Sequence, residues 1–274
     1  LVDMYAKCGM LAKAAHVLEG LPARDTVSWN ALIAGYTHEG QGHEALNCFS
    51  LMRREGLSPN EVTFTCILSA CSCIATIDKG TQIHNEIVNA GLLATNIALG
   101  NALVDMYAKC GVLTRAHQVL KELPLRDVVS WSALIAGYAQ KGSEAMSCFK
   151  QMQKEGLAPN ELTFLSLLNA FSHSGKLDEA EKYYENMSIE YGIIPELEHH
   201  ACMVGLFGCA GRFDKAMSVI QTIPSCRNPS VWLLLLGYCR KWGNVKFGRL
   251  AFDSAIRLDD TVAAAYVLMS NIYS

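Results

Sequence analysis

The nine residues LVDMYAKCG occur twice, at Leu1 to Gly9 and at Leu103 to Gly111. The copies keep register well beyond those nine. Asp25 recurs as Asp127 and Trp29 as Trp131, a super-period of 102 residues, and SWNALIAGY (Ser28 to Tyr36) returns as SWSALIAGY (Ser130 to Tyr138). That period is too long for one helical hairpin and accommodates three of about 34 residues each. Units of this size bury a core only against their neighbours, so the expected product is an all-α solenoid of helix-turn-helix repeats. Its function is expected along a surface rather than in one pocket.

Composition bounds the rest. The 274 residues are 51% hydrophobic, but in a repeat array length measures repeats rather than the size of one core. The 11 cysteines contain no C-x-x-C pair, and Cys8 recurs as Cys110 and Cys48 as Cys148; they read as small buried side chains in a reducing compartment. The longest apolar stretch, around Val231 to Leu236, is far short of the roughly 18 residues of a membrane span, so a soluble chain is expected. A formal charge of −3 argues against a generic basic nucleic-acid binder, whose affinity comes from neutralised phosphates; any nucleic acid would be read through its bases. The chain opens inside one repeat and stops inside another, as a piece of a longer protein would.

Within residues 26–60, VSWNALIAGYTHEG and HEALNCFSLMRREG precede LSPN, two helical stretches about a glycine-rich break. Trp29, Leu32, Ile33 and Tyr36 form one apolar stripe, and Ala45, Leu46, Phe49 and Met52 a second. Gly35 is expected to allow close helix contact, and Gly56 with Pro59 to end the second helix. The same plan continues over 61–96, 97–127, 128–160, 161–196, 197–228 and 229–262, with partial units at 1–25 and 263–274.

These strings resemble the plant pentatricopeptide repeat family, and its subclass of alternating P, L and S repeats. WNALIAGYxxxG…EAL..F..M...G..PN resembles the P type (26–60 and 128–160), TFxxxLSACS....DKG.QIH the L type (61–96 and 161–196), and NALVDMYAKCG.L..A..V....P.RD the S type (1–25, 97–127 and 197–228). SVWLLLLGYCRKWGNVKFG and AAAYVLMSNIYS resemble the E-type extension (229–262, and a truncated second motif at 263–274). Gly205 and Cys209 depart from the last S motif, where the family commonly has Asp and Arg, and Leu165 occupies a polar recognition position. The resemblance implies a right-handed superhelical solenoid like that of tetratricopeptide repeats, in which each repeat contacts one base of single-stranded RNA.

By that resemblance, the fifth and last residues of a repeat face the base edge and the second helps sandwich the ring. The pairs are Asn30 with Asn60, Thr65 with Asn96, Asn101 with Asp127, Ser132 with Asn160, Leu165 with Glu196, and Ala201 with Asn228, preceded by Asp25. The sandwiching positions are Val27, Val62, Ala98, Val129, Leu162 and Glu198. The chemistry is consistent: a carboxylate only accepts, suiting the ring N–H of U or G, whereas an amide can donate to the bare ring nitrogen of A or C. Read 5′ to 3′, the tract is a keto base, a pyrimidine with C favoured, A, U, A, and two weakly specified bases.

Other signals have plainer explanations. His84-Asn85-Glu86 matches the H-x-E of zinc deaminases, but P-C-x-x-C is absent. His199 and His200 point about 100° apart on a helix, so solvated or packed histidines are expected rather than metal ligands. Gly175-Lys176 lacks the rest of a phosphate loop. Trp29, Trp131 and Trp232 lie on an apolar stripe and read as core, while Asn30, Asn101 and Asp127 suit helix caps as well as bases. The leading expectation is a non-catalytic, cofactor-free and metal-free RNA-binding module of a mitochondrial or chloroplast RNA-processing factor, directing C-to-U editing. The E-type tail would recruit a deaminase-bearing pentatricopeptide repeat protein or other editing-complex proteins; neither membrane nor DNA is expected as a partner. The alternatives are a protein-binding helical scaffold, or a role in RNA stabilisation or splicing.

Overall fold

The computed structural model describes residues 1–223 and 228–273. It is helical throughout, with connections of a few residues, and falls into two compact units, Leu1–Tyr138 and Ala139–Ser274. The first holds α1 (Val2–Lys7), α2 (Leu11–Glu19), α3 (Thr26–His38), α4 (Gly42–Arg54), α5 (Glu61–Cys73), α6 (Ile77–Asn89), α7 (Ile97–Lys109), α8 (Leu113–Glu122) and α9 (Val128–Gly137). The second holds α10 (Gly142–Lys154), α11 (Glu161–Ser174), α12 (Leu177–Ile189), α13 (Leu197–Cys209), α14 (Phe213–Thr222), α15 (Pro229–Trp242), α16 (Val245–Leu258) and α17 (Ala263–Tyr273). In the first unit α1, α3, α5, α7 and α9 pack side by side in one row, and in the second α11, α13, α15 and α17 do the same. The even-numbered helices cover each row as a second layer.

The stripes set that packing. On α3 Trp29, Leu32 and Ile33 are buried, and on α4 Ala45, Phe49 and Met52; Tyr36 and Leu46 lie half-buried at the edges. Burying a side chain the size of Phe49 or Met52 stabilises the hairpin by about 1.5–3 kcal/mol, and Phe49→Ala would cost about 3–5 kcal/mol. The α4 helix stops at Arg54, and Gly56 takes φ of +79°, a left-handed turn that side-chain-bearing residues resist. Between hairpins, a Cβ on Gly35 would lie 2.9 Å from Ala6 Cβ, and one on Gly137 2.8 Å from Ala108 Cβ, so α3 and α9 approach α1 and α7 closely. The α9 helix ends at Gly137 although its sequence nearly repeats that of α3, which runs to His38. Two residues fewer separate the start of α9 from that of α10, and the helix end supplies the turn.

Polar contacts tie the frame. Trp29 Nε1 donates to Glu55 Oε2 at 3.0 Å while the other carboxylate oxygen pairs with Arg24, joining the loop before α3 to the end of α4. Trp131 is likewise buried, but Trp232 is half-buried and its indole N–H has no hydrogen-bond partner among the described residues. In the covering layer Arg53 bridges α4 to Glu86 of α6 at 2.6 Å, and Lys215 bridges α14 to Glu181 of α12 at 2.6 Å. Cys48 and Cys148 are buried, and burial pushes the Cys48 thiol up to about 11. Cys8 is exposed and Cys110 half-buried, contrary to the expectation of buried cysteines, because both sit where a first helix turns out to its partner.

His84, His199 and His200 are packed. His84 Nδ1 lies 3.0 Å from the Tyr107 hydroxyl, and His200 Nδ1 lies 2.6 Å from that of Tyr184. Burial holds both imidazoles below the ordinary histidine range. His199 accepts from the Glu196 N–H at 3.1 Å and its Nε2 meets the Glu161 carbonyl at 2.9 Å. Among the described residues no group of three or more His, Cys, Asp or Glu could hold a metal ion, and no helix is long and apolar enough to cross a membrane.

Candidate nucleic-acid interface

Each first helix begins on the residue that closes the preceding repeat. Asp25, Asn60, Asn96, Asp127, Asn160, Glu196 and Asn228 are the N-caps of α3, α5, α7, α9, α11, α13 and α15. A helix start leaves backbone N–H groups unpaired, and a short acceptor at the cap satisfies one. The Oδ1 atoms of Asp25, Asn60, Asn96, Asp127 and Asn160 accept from the backbone N–H three residues on, at 2.8, 3.0, 3.1, 2.9 and 2.9 Å. Asn228 accepts two residues on, from Ser230, at 2.9 Å. Bonds from the Ser28 hydroxyl and N–H hold the Asp25 carboxyl below the usual carboxylate range.

Two fifth-and-last pairs are in direct contact. Asn30 Nδ2 donates to Asn60 Oδ1 at 3.0 Å, and Asn101 Nδ2 donates to Asp127 Oδ2 at 3.1 Å. The cap bond fixes the Asn60 amide, because its oxygen must face Thr63 N–H; the NH2 is left on the other side, without a hydrogen-bond partner among the described residues. Asn30 and Asn101 lie inside α3 and α7 rather than at their starts, so of the three residues suited to capping only Asp127 caps. Asn101 Oδ1 is buried without a hydrogen-bond partner among the described residues.

The remaining pairs differ. Thr65 Oγ1 donates to its own helix at Glu61 O, 2.9 Å away, rather than to Asn96. Ser132 is buried on α9 in the first unit, and Asn160 is the half-buried cap of α11 in the second. Leu165 and Ala201 are half-buried on α11 and α13, with no polar atom for Glu196 or Asn228 to meet.

The second residues are exposed. Val27, Val62, Val129 and Leu162 are 71%, 55%, 48% and 55% exposed on the first turns of α3, α5, α9 and α11, and Ala98 and Glu198 are exposed at the same place on α7 and α13. Single exposed apolar side chains are ordinary. In the first unit, apolar groups recurring beside polar caps at a fixed place on α3, α5, α7 and α9 form a ladder of half-apolar, half-polar steps.

The third residue of the repeat is a member of the site that the fifth-and-last pattern does not include. Thr63 Oγ1 donates to Asn30 Oδ1 at 2.7 Å and accepts from Asn60 N–H at 3.1 Å, locking pair and cap together. Ser130 and Thr163 close the same reciprocal box on Asp127 and Asn160. Its signal lies in the sequence: Asn or Asp followed three residues on by Ser or Thr allows a capping box, which forms at Asn60, Asp127 and Asn160.

Comparison with known proteins agrees with the repeat architecture. A model described as PPR repeat family matches residues 24–73 and 126–173, and one described as PPR repeat matches 101–128 and 162–190, together more than half of the chain. Two Arabidopsis thaliana relatives are pentatricopeptide repeat-containing protein At1g08070, chloroplastic, and pentatricopeptide repeat-containing protein CRR2, chloroplastic. Each is 40% identical over the whole chain, which covers 37% and 42% of them; the chain thus spans about two fifths of those relatives. Among solved structures, the pentatricopeptide repeat protein PPR10 from maize superposes with a TM-score of 0.63 at 19% identity, over 99% of this chain and 45% of that one. PPR10 in complex with an 18-nt psaJ RNA element gives 0.73 at 20%, over 99% and 41%. By its repeats, its all-helical fold and its relatives, the chain belongs to the pentatricopeptide repeat family.

Proposed function

We propose that this chain binds single-stranded RNA sequence-specifically, one base per repeat, as part of an organellar RNA-processing factor. The observation that carries the reading is the contact of Asn30 with Asn60 and of Asn101 with Asp127, each beside an exposed first helical turn. One pair presents a free amide NH2 and the other a carboxylate, opposite hydrogen-bonding faces on the same frame. The amide matches the bare ring nitrogen of C and the carboxylate the ring N–H of U. Val27, Val62, Ala98, Val129 and Leu162 would flank the bases, and Thr65 with Asn96, Ser132 with Asn160, Ala201 with Asn228, and Asp25 would extend the tract. The related PPR10 has been solved with an RNA element, which supports the substrate class.

Within that function we place the chain in the P, L and S subclass with an E-type tail, and assign it to specifying sites of C-to-U editing, with a deaminase supplied by another segment or a partner. The chloroplastic names of two relatives support an organelle, chloroplast or mitochondrion.

Asn60→Asp tests the base assignment. The variant keeps the cap acceptor and Asn30's partner, and reproduces within residues 26–60 the Asn101–Asp127 arrangement that the chain already holds. Affinity for RNAs differing only at the second base of the tract should cross over from C to U by about tenfold, the equivalent of one buried group left unpaired. Equal affinity for scrambled RNA, or a uniform loss in the variant, would favour a protein-binding scaffold.

A further inference from the structure

The α13/α15 contact reverses the packing seen at α1/α3 and α7/α9. There a glycine of the later helix, Gly35 or Gly137, lies on an alanine of the earlier one; here Tyr238 takes the glycine's place and Gly208 the alanine's, a Cβ on Gly208 falling 2.5 Å from the Tyr238 ring. The space beside Gly205 is taken by the Tyr238 hydroxyl, 3.6 Å from where its Cβ would be. At the corresponding place α1 and α7 carry the ion pairs Asp3–Lys7 and Asp105–Lys109, at 2.9 and 2.8 Å. Gly205 and Cys209 remove that charge.

One turn on, Trp242 ends α15 with its indole N–H donating to Gly208 O at 3.1 Å and its ring 3.5–3.6 Å from where a Gly211 Cβ would be. The ring is thus held in place from one side, yet the residue is 53% exposed, against 4% for Trp29 and 1% for Trp131. From Arg240 to Phe252 the sequence carries Arg240, Lys241, Lys246 and Arg249 and no carboxylate, in a chain whose net charge is −3. All four cations are exposed, and none forms an ion pair among the described residues.

We propose that Trp242 is a stacking platform for an unpaired RNA base, with Arg240, Lys241, Lys246 and Arg249 holding the neighbouring phosphates, so that the α15–α16 hairpin forms a sequence-tolerant RNA site outside the fifth-and-last positions. The inference rests on the reading of the chain as an RNA binder and extends it: a fixed aromatic face with clustered cations is how proteins hold single strands without reading sequence. Charge complementarity favours a polyanion over an apolar protein surface. The site lies beyond Ala201 and Asn228, so it would take nucleotides 3′ of the read tract.

The test compares 5′-UCAUAUU-3′ with the same RNA extended at its 3′ end by four uridines. For the wild type the extension should strengthen binding about tenfold, the scale of one stacked base. Trp242→Leu should abolish that gain and leave affinity for the short RNA unchanged. Arg240→Gln with Lys241→Gln, two exposed changes that do not disturb packing, should lower the salt slope of the extended RNA by about 0.7 for each phosphate no longer neutralised. A gain that survives both variants overturns the proposal, as does polyglutamate competing as well as oligouridine. The two readings fail separately. Sequence-specific binding of the short RNA with no gain on extension sinks the platform alone; Trp242-dependent quenching by oligouridine without preference for the tract sinks base reading alone.

Discussion

Asn60 Oδ1 accepts from two donors at once, the Thr63 N–H and the Asn30 amide, each at 3.0 Å, while the Thr63 hydroxyl beside it donates to Asn30 Oδ1 at 2.7 Å. One atom therefore starts α5, closes a capping box and fixes the preceding repeat's fifth residue. Capping and the proposed base reading, both of which the sequence allows, are compatible on one side chain because they use its two ends.

Asn160 offers the cleanest separation of the two roles. Its oxygen caps α11 through the Thr163 N–H at 2.9 Å, and aspartate supplies the same acceptor. Asn160→Asp should leave the thermal midpoint nearly unchanged and move the base preference of residues 128–160 from A toward G by about tenfold. Asn160→Ala should instead cost about 1 kcal/mol of stability, the worth of a cap. Parallel RNA-binding and melting measurements check both; loss of stability in the aspartate variant would contradict the account.

The buried His84 and His200 predict a direction of acid sensitivity. Their folded pKa values lie below the unfolded value of about 6.5 because burial disfavours the imidazolium. Below about pH 6.5 the unfolded chain takes up protons that the folded chain refuses, so stability falls as pH drops. Hydrogen exchange should show α5 to α7 and α12 to α13 less protected at about pH 5.5 than at about 7.5, and His84→Gln with His200→Gln should flatten the difference. Protection unchanged between these two pH values would refute the assignment.

Two helical glycines should respond oppositely to alanine. Gly35→Ala gains about 1 kcal/mol of helix propensity but pushes a methyl to 2.9 Å from Ala6 and Leu11, an overpacking that costs about 1–3 kcal/mol. Net destabilisation is expected. Gly237 has nothing within 4 Å of a new Cβ, so Gly237→Ala should stabilise by about 0.5–1 kcal/mol in urea unfolding.

Ala75, with φ of 51°, is the lone non-glycine residue in the left-handed region among the described residues; Gly40, Gly111, Gly175, Gly211 and Gly243 adopt that conformation at the turns of other hairpins. An L-residue there carries about 1–2 kcal/mol of strain, partly offset by the lower unfolded-state entropy of alanine. Ala75→Gly should stabilise the α5–α6 hairpin by about 0.5–1 kcal/mol. Exchange of the α6 amides measures it, and faster exchange in the variant would count against the strain.

Much of the fold was legible because it is written at short range. The stripe of Trp29, Leu32 and Ile33, the glycine at Gly56 and the repeated SW-ALIAGY segment specify helix, turn and neighbour within a few dozen residues. What was not legible depends on contacts between hairpins. The sequence shows Asn30 and Asn60 thirty residues apart, but that they touch, and that Thr63 bridges them, follows from α3 lying against α5. The exposure of Cys8 and the loose packing of Trp232 likewise depend on what lies across from them. Nothing in the local pattern separates Trp232 from Trp29; Glu55, the residue that caps the end of the partner helix in the same hairpin, does.

The chemistry of helix starts also sets an evolutionary vocabulary. A position that must accept an N–H from the next turn admits few residues, chiefly Asn, Asp, Ser and Thr. Asn and Asp are equivalent as caps and opposite toward a base edge, so under the proposed base reading a single substitution at Asn60, Asp127 or Asn160 would exchange one nucleotide for another while the scaffold stays indifferent. A lineage of such proteins could thus drift across target sites without passing through unfolded intermediates.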